Sequence, residues 1–146
     1  MLWNCPYLLT YLLVQRTRKS SFSVAKSRMV KIGVLAVQGS FSEHIHAFKL
    51  LKEEVYEIKT LQDLTDDIQG LVIPGGESTT MAHFLAKNDF LERLQKWLKQ
   101  GSRFMWGTCA GLILLADVLE NEKVGGQVHL GGLSITAQRN SYGRQA

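Results

Sequence analysis

Cysteine and proline are scarce in this chain, two of each in 146 residues. Cys5 and Cys109 are too few for a disulfide-stapled framework, which needs several pairs in a smaller secreted chain. No group of cysteines or histidines has metal-ligand spacing, so no metal is expected. No stretch reaches the ~18–20 apolar residues that a membrane-spanning helix requires. The most apolar one, Tyr7 to Val14, is short and interrupted by Thr10. Internal repeats and low-complexity segments are missing too. So is any acidic residue before position 29, although Arg16, Arg18, Lys19, Lys26 and Arg28 all fall there. Those five residues more than account for the formal net charge of +4, because the rest of the chain carries one more acid than bases. A near-neutral body lacks the clustered basic footprint of nucleic-acid binding, so neither nucleic acid nor membrane is an expected partner.

Residues 1–28 therefore stand apart as a leader. An acid-free, Ser- and Arg-containing segment fits an organelle transit peptide, or an inert extension ahead of Met29. A secretory signal fits less well, because the charges follow the apolar run. The expected location is the cytoplasm, with organelle targeting the alternative that the leader opens. Residues 29–146 read as one domain, and a hydrophobic fraction of 45% with 21% charged residues is ordinary for a globular chain.

From Val30 onward strands and helices alternate. Lys31 to Val37 predicts a buried strand, and Gln38-Gly39-Ser40 a turn. Ser40 or Ser42 can cap a helix with Phe41, Ile45, Phe48 and Leu51 on one face. Val55 to Lys59 and Leu71 to Ile73 predict strands, the latter ended by Pro74-Gly75-Gly76. Ser78 to Ala86 predicts a helix capped by Ser78. Asp89 to Gln100 predicts another, apolar at Phe90, Leu94, Trp97 and Leu98 and stopped by Gly101. Phe104 to Trp106 predicts a strand that runs through Gly107-Thr108-Cys109-Ala110-Gly111 into an apolar helix reaching Val118. A loop from Asn121 to Gly132 and a fifth strand, Leu133 to Ala137, follow. This alternation implies an α/β fold with a parallel sheet covered on both faces, whose functional loops lie at the carboxyl ends of the strands.

Two of those loops carry chemistry. Gly107-Thr108-Cys109-Ala110-Gly111 is a G-x-C-x-G elbow between strand and helix, built like the serine elbow of hydrolases. Flanking glycines permit a sharp turn that presents the thiol at the strand end. A helix N-terminus there favours thiolate over thiol, and the Ala110 N–H is placed for an oxyanion. The competing reading is a buried, inert cysteine in a glycine-rich turn. Pro74-Gly75-Gly76-Glu77-Ser78-Thr79-Thr80 ends a strand and opens a helix, where free amides can hold an anion. By itself it reads first as an ordinary capped turn.

The two motifs together resemble the triad-type glutamine amidotransferases. The segments Lys31-Ile32-Gly33-Val34-Leu35-Ala36-Val37-Gln38-Gly39-Ser40-Phe41, Glu43-His44-Ile45, Gly131-Gly132-Leu133 and Arg139-Asn140-Ser141-Tyr142-Gly143-Arg144-Gln145 are similar to the glutaminase subunits of pyridoxal 5'-phosphate synthase. The resemblance runs in order from about Val30 to the last residue. It implies a flavodoxin-like, three-layer class I amidotransferase fold, incomplete at the C-terminus. It also implies hydrolysis of L-glutamine to glutamate and ammonia, with the ammonia passed to the synthase subunit, and no cofactor or metal. By position, Cys109 is then the nucleophile, and the backbones of Ala110 and Gly75 or Gly76 frame the oxyanion. Gly76, Glu77 and Ser78 line the glutamine pocket, and Arg139 lies against the bound glutamine. The first turn and helix, with Gln38, Glu43 and His44, face the synthase subunit.

One departure matters. The family completes its triad with a His and a Glu in a C-terminal His-Pro-Glu segment, and no such segment precedes Ala146. His44 and His46 fall on the first helix, solvated or at an interface. His83 falls on the helix after Ser78, and His129 in a Gly-rich loop. The expectation is a truncated chain inactive by itself, the alternative a non-catalytic module that docks on the synthase subunit. A related cysteine hydrolase or chaperone fits less well, since that class often places His directly after the nucleophile, where this chain has Ala110.

Overall fold

A computed structural model describes residues 12–14 (as backbone), 30–87, 89–100, 103–120 and 127–138. In chain order the elements are β1 Leu12–Val14, β2 Lys31–Leu35, α1 Phe41–Leu50, β3 Glu54–Ile58, β4 Gly70–Ile73, α2 Ser78–Leu85, α3 Phe90–Lys99, β5 Phe104–Gly107, α4 Ala110–Leu115, β6 Ala116–Glu120 and β7 Leu133–Gln138. The main sheet has the order β1-β5-β4-β2-β3. Its last four strands are mutually parallel, and β1 lies antiparallel on the outer edge of β5. From β2 the chain moves to β3 on one side and to β4 on the other. The two loops that leave β2 and β4 therefore diverge, which opens a crevice at the carboxyl end of the sheet.

Strand alternation divides the core in two. Val34 and Val72 face α1, where they pack with Ile45, Phe41, Phe48 and Trp106. Leu35, Leu71, Ile73 and Met105 face the other side, against Met81, Leu85, Leu94, Trp97 and Leu114 of α2, α3 and α4. Helices thus cover both faces of a parallel sheet. Each helix is held by an apolar stripe at helical spacing, clearest in α3 with Phe90, Leu94 and Trp97 buried.

Several sequence expectations are corrected. The helix after Cys109 does not reach Val118; it ends at Leu115, and Ala116–Glu120 is a strand. Asp117 explains the switch, since its carboxylate accepts from the Gly132 N–H at 2.7 Å and the Ser134 hydroxyl at 3.0 Å. A tertiary anchor of this kind outweighs a local helical preference that Asp supports poorly. The anchored strand β7 pairs in parallel with β6 in a separate two-stranded sheet, not with the main one. Leu51 does not share the buried face of α1, for it follows the helix and is 69% exposed. The α2 cap is Glu77 rather than Ser78. Neither Ser40 nor Ser42 caps α1: Ser40 holds the N-cap position without a side-chain cap bond, and Ser42 bonds Glu43.

Leu12–Val14 falls inside the leader and forms β1 on the sheet edge, so the leader touches the sheet at that point. Gly101 lies outside the described residues. Among the described residues no helix is long and apolar enough to cross a membrane. Nor is there, among them, a group of three or more His, Cys, Asp or Glu able to hold a metal ion.

Candidate active site

Three turns meet in the crevice: 36–40 after β2, 74–77 after β4, and 108–109 after β5. They are tied together by hydrogen bonds between residues far apart in sequence. The Gly75 carbonyl accepts from the Ser40 backbone N–H at 3.0 Å and from the Ser40 hydroxyl at 3.4 Å. The Glu77 N–H donates to Gln38 Oε1 at 3.0 Å. Gly39, at φ +87, lets the first turn approach this closely, since a Cβ there would overlap the Gly75 carbonyl. The third turn is held by the Thr108 N–H, which donates to the Ile73 carbonyl at 3.1 Å, and by His44 Nε2, 3.2 Å from Thr108 Oγ1.

Cys109 sits at the apex of the third turn with φ 49 and ψ −110, a left-handed conformation that non-glycine residues rarely adopt. Its side chain is exposed and makes no disulfide. Strain of this sort persists only where surrounding structure fixes both sides. Here β5 and the Thr108–Ile73 bond fix one side. On the other, the Cys109 carbonyl accepts from Leu112 at 3.0 Å and Ile113 at 3.2 Å. Gly111 supplies the close approach, packed so tightly against Ile73 at the end of β4 that a Cβ would overlap the Ile73 carbonyl.

The sequence placed Cys109, Ala110 and Gly75 around one reacting centre, and the structure brings them together. A Cβ built on Gly75 would stand 3.3 Å from the Cys109 Cβ. Ala110 is the first residue of α4, so its N–H has no carbonyl partner within the helix. Gly76 is exposed beside Gln38. Ser78 is buried, and its carbonyl accepts from Gln127 Nε2 at 3.3 Å. The Glu77 carboxylate accepts from Thr79 N at 3.1 Å, Thr80 N at 2.6 Å and Thr80 Oγ1 at 2.8 Å. Desolvation alone would raise its pKa, but these hydrogen bonds win and hold it at about 2. Glu77 is thus an anion at neutral pH, and its carboxylate organises the α2 N-terminus. Arg139 lies outside the described residues.

Of the residues assigned to a partner surface, Glu43 is exposed, whereas Gln38 and His44 are half-buried and bonded within the chain. The His44 ring stands edge-on to Trp106, centroids 5.3 Å apart at 78°. Burial lowers the His44 pKa, against a smaller opposing pull from Glu43, and so disfavours the charged imidazole. Sequence reasoning gave Thr108 and Ser40 no part in the site, and no local spacing could have supplied one, since their partners lie 64 and 35 residues away. The other histidines are elsewhere: His46 and His83 are exposed, and His129 Nδ1 is 3.3 Å from the Gln127 carbonyl. Among the described residues no imidazole is hydrogen-bonded to the Cys109 thiol.

A mainly parallel α/β sheet carries an exposed cysteine elbow at the carboxyl end of β5, faced by a glycine turn after β4. Residues 34–146 match the model of the SNO glutamine amidotransferase family, and the chain belongs to that family. Among curated relatives, a pyridoxal 5'-phosphate synthase subunit PdxT from Methanocorpusculum labreanum is 48% identical over 116 residues. One of the same name from Bacillus thuringiensis is 45% identical over 117 residues. Both alignments cover 80% of this chain, and they cover 59% and 57% of those relatives, so the chain spans under two thirds of their length. A crystal structure of a glutamine amidotransferase superposes with a TM-score of 0.70 at 38% identity, over 78% of this chain and 59% of that one.

Proposed function

We propose that this chain carries the nucleophile, oxyanion and substrate-pocket elements of a glutaminase that hydrolyses L-glutamine to glutamate and ammonia. The ammonia then passes to another subunit of pyridoxal 5'-phosphate synthase, the complex for which the relatives are named. The observation that carries this reading is the exposed Cys109 thiol on a left-handed elbow directly beside Gly75. In that geometry the sulfur attacks the side-chain carbonyl carbon of glutamine. The carbonyl oxygen becomes an oxyanion within reach of the Ala110 N–H and the Gly75–Gly76 backbone. Ammonia leaves, and water hydrolyses the thioester to glutamate. Arg139, by its place in the sequence, is assigned to the bound glutamine, and the cytoplasm is the proposed location.

The leaving ammonia must receive a proton, which an imidazole oriented by a carboxylate supplies in triad chemistry. None of the described histidines is joined to Cys109. Chain 1–146 alone is therefore expected to turn over slowly, by the ~10²–10⁴ that general acid–base help is worth. The test is a coupled glutamate-release assay on this chain, with and without a synthase subunit. A version extended through the family's His-Pro-Glu segment runs beside it. Turnover only in the extended version, abolished by Cys109→Ala, supports the reading; equal turnover by both chains overturns the proton-donor argument.

A second reading is a docking module without turnover. It is favoured by Leu50 and Leu51, 71% and 69% exposed at the end of α1. Synthase binding by an extended version that stays inactive would select it.

A further inference from the structure

We propose that His44 is a positioning residue for the nucleophile elbow, acting through its hydrogen bond to the Thr108 hydroxyl. The proposal rests on the reading of Cys109 as the nucleophile. Thr108 immediately precedes Cys109, whose backbone is held at φ 49. The Thr108 backbone is tied at both ends: its N–H donates to the Ile73 carbonyl, and its carbonyl accepts from the Gly111 N–H at 2.9 Å. The Thr108 side chain is the remaining handle on the turn, and His44 of α1 holds it at 3.2 Å.

The imidazole is itself fixed. Its ring stands edge-on to Trp106, the strand residue two positions before Thr108, and Trp106 is braced in turn by Phe48 of α1 at 6.1 Å and 90°. A neutral imidazole offers one donor and one acceptor, and a hydroxyl can take either complementary part. His44 therefore links α1 to the elbow whichever tautomer is present. The same bond keeps Nε2 on Thr108 rather than on the thiol, which makes a general-base role for His44 a poor fit. With the hydroxyl released, the Thr108–Cys109 peptide gains freedom, and the thiol spends less time in the attacking orientation.

The experiment measures the alkylation rate of Cys109 by iodoacetamide in the full chain. Peptide mass mapping separates Cys109 from Cys5, and the urea midpoint of each variant confirms folding. His44→Ala and the isosteric Thr108→Val are each expected to slow Cys109 alkylation about three- to tenfold, the size of one net hydrogen bond. The double variant is expected to be no slower than either single one, because both remove the same link. His44→Gln, whose amide reaches the same hydroxyl, and Thr108→Ser are expected to recover the rate to within about twofold. Wild-type rates in Thr108→Val, additive losses in the double variant, or failure of both conservative variants to recover would each overturn the proposal. A reactive Cys109 indifferent to His44 sinks only this inference, whereas a Cys109 inert in the unaltered chain sinks the nucleophile reading with it.

Discussion

Adding one methyl group at Gly111 sets two effects of opposite sign against each other. Gly111 is the second residue of α4, and alanine is favoured over glycine in a helix by up to ~1 kcal/mol. Were Gly111 on an open helix surface, Gly111→Ala would stabilise the protein. It is buried against the end of β4 instead. The new Cβ would sit 3.0 Å from the Ile73 Cβ, 2.7 Å from the Ile73 carbonyl carbon, and in overlap with the carbonyl oxygen. That oxygen also accepts the Thr108 N–H, so α4 cannot retreat without disturbing the elbow. Overpacking of this kind costs ~1–3 kcal/mol, and the rigid backbone contact puts it at the upper end. Subtracting the helix gain leaves ~2 kcal/mol of destabilisation. With an m-value of ~2 kcal/mol/M, the urea midpoint should fall by ~1 M. The assay is urea unfolding followed by tryptophan fluorescence, with Cys109 alkylation measured in the folded baseline. An unchanged or raised midpoint would refute the packing of α4 on β4, and with it the reason given for glycine at this position.

Glu77→Ala should remove the α2 cap and destabilise by ~1 kcal/mol at neutral pH, read as a urea midpoint shift. Because the Glu77 pKa falls from 4.5 unfolded to about 2 folded, its contribution is present above pH 4.5 and lost as pH falls towards 2. The wild type and the variant should therefore converge in acid, and a constant gap would contradict the capping role. Leu94→Ala, at a fully buried position in the α2–α4 core, should cost ~2–5 kcal/mol by the same unfolding measurement, and a loss under ~1 kcal/mol would place α3 wrongly. Limited trypsin digestion should cut between Arg16 and Arg28, in the stretch that joins β1 to β2, before any site in the domain. Cleavage there as slow as in the core would place that stretch within the packed domain together with β1.

Much of the fold was legible because local pattern and tertiary role agreed. The apolar runs at Ile32–Leu35 and Leu71–Ile73 and the helical stripe of Phe90, Leu94 and Trp97 each face the core that their period implies. The Gly-x-Cys-x-Gly elbow was legible as a turn for a different reason: few backbones other than a sharp strand-to-helix turn need glycine on both sides of one residue. Where reading failed, a distant partner decided. Ala116–Glu120 looks like the tail of an apolar helix, and its ladder with Leu133–Gln138, pinned by the Asp117 bonds to Gly132 and Ser134, makes it a strand. The alternation in Leu133–Gln138 identifies a strand but carries no information about which sheet it joins. Ser78 is the cap that the sequence suggests, but Glu77, one residue earlier, takes the position because its longer side chain reaches the Thr79 and Thr80 N–H groups. His44 shows the same limit at the site, since nothing in its own helix marks that it turns inward to Thr108.

The central proposal is that Cys109 is the nucleophile that attacks bound L-glutamine, and a glutamine-mimicking electrophile tests it most directly. Chain 1–146 would be treated with a diazoketone analogue of L-glutamine, with and without excess L-glutamine, and its cysteine peptides weighed. The account predicts one covalent adduct on the Cys109 peptide, suppressed by L-glutamine, with Cys5 unmodified. Labelling that ignores L-glutamine, or that falls equally on Cys5 and Cys109, would contradict it.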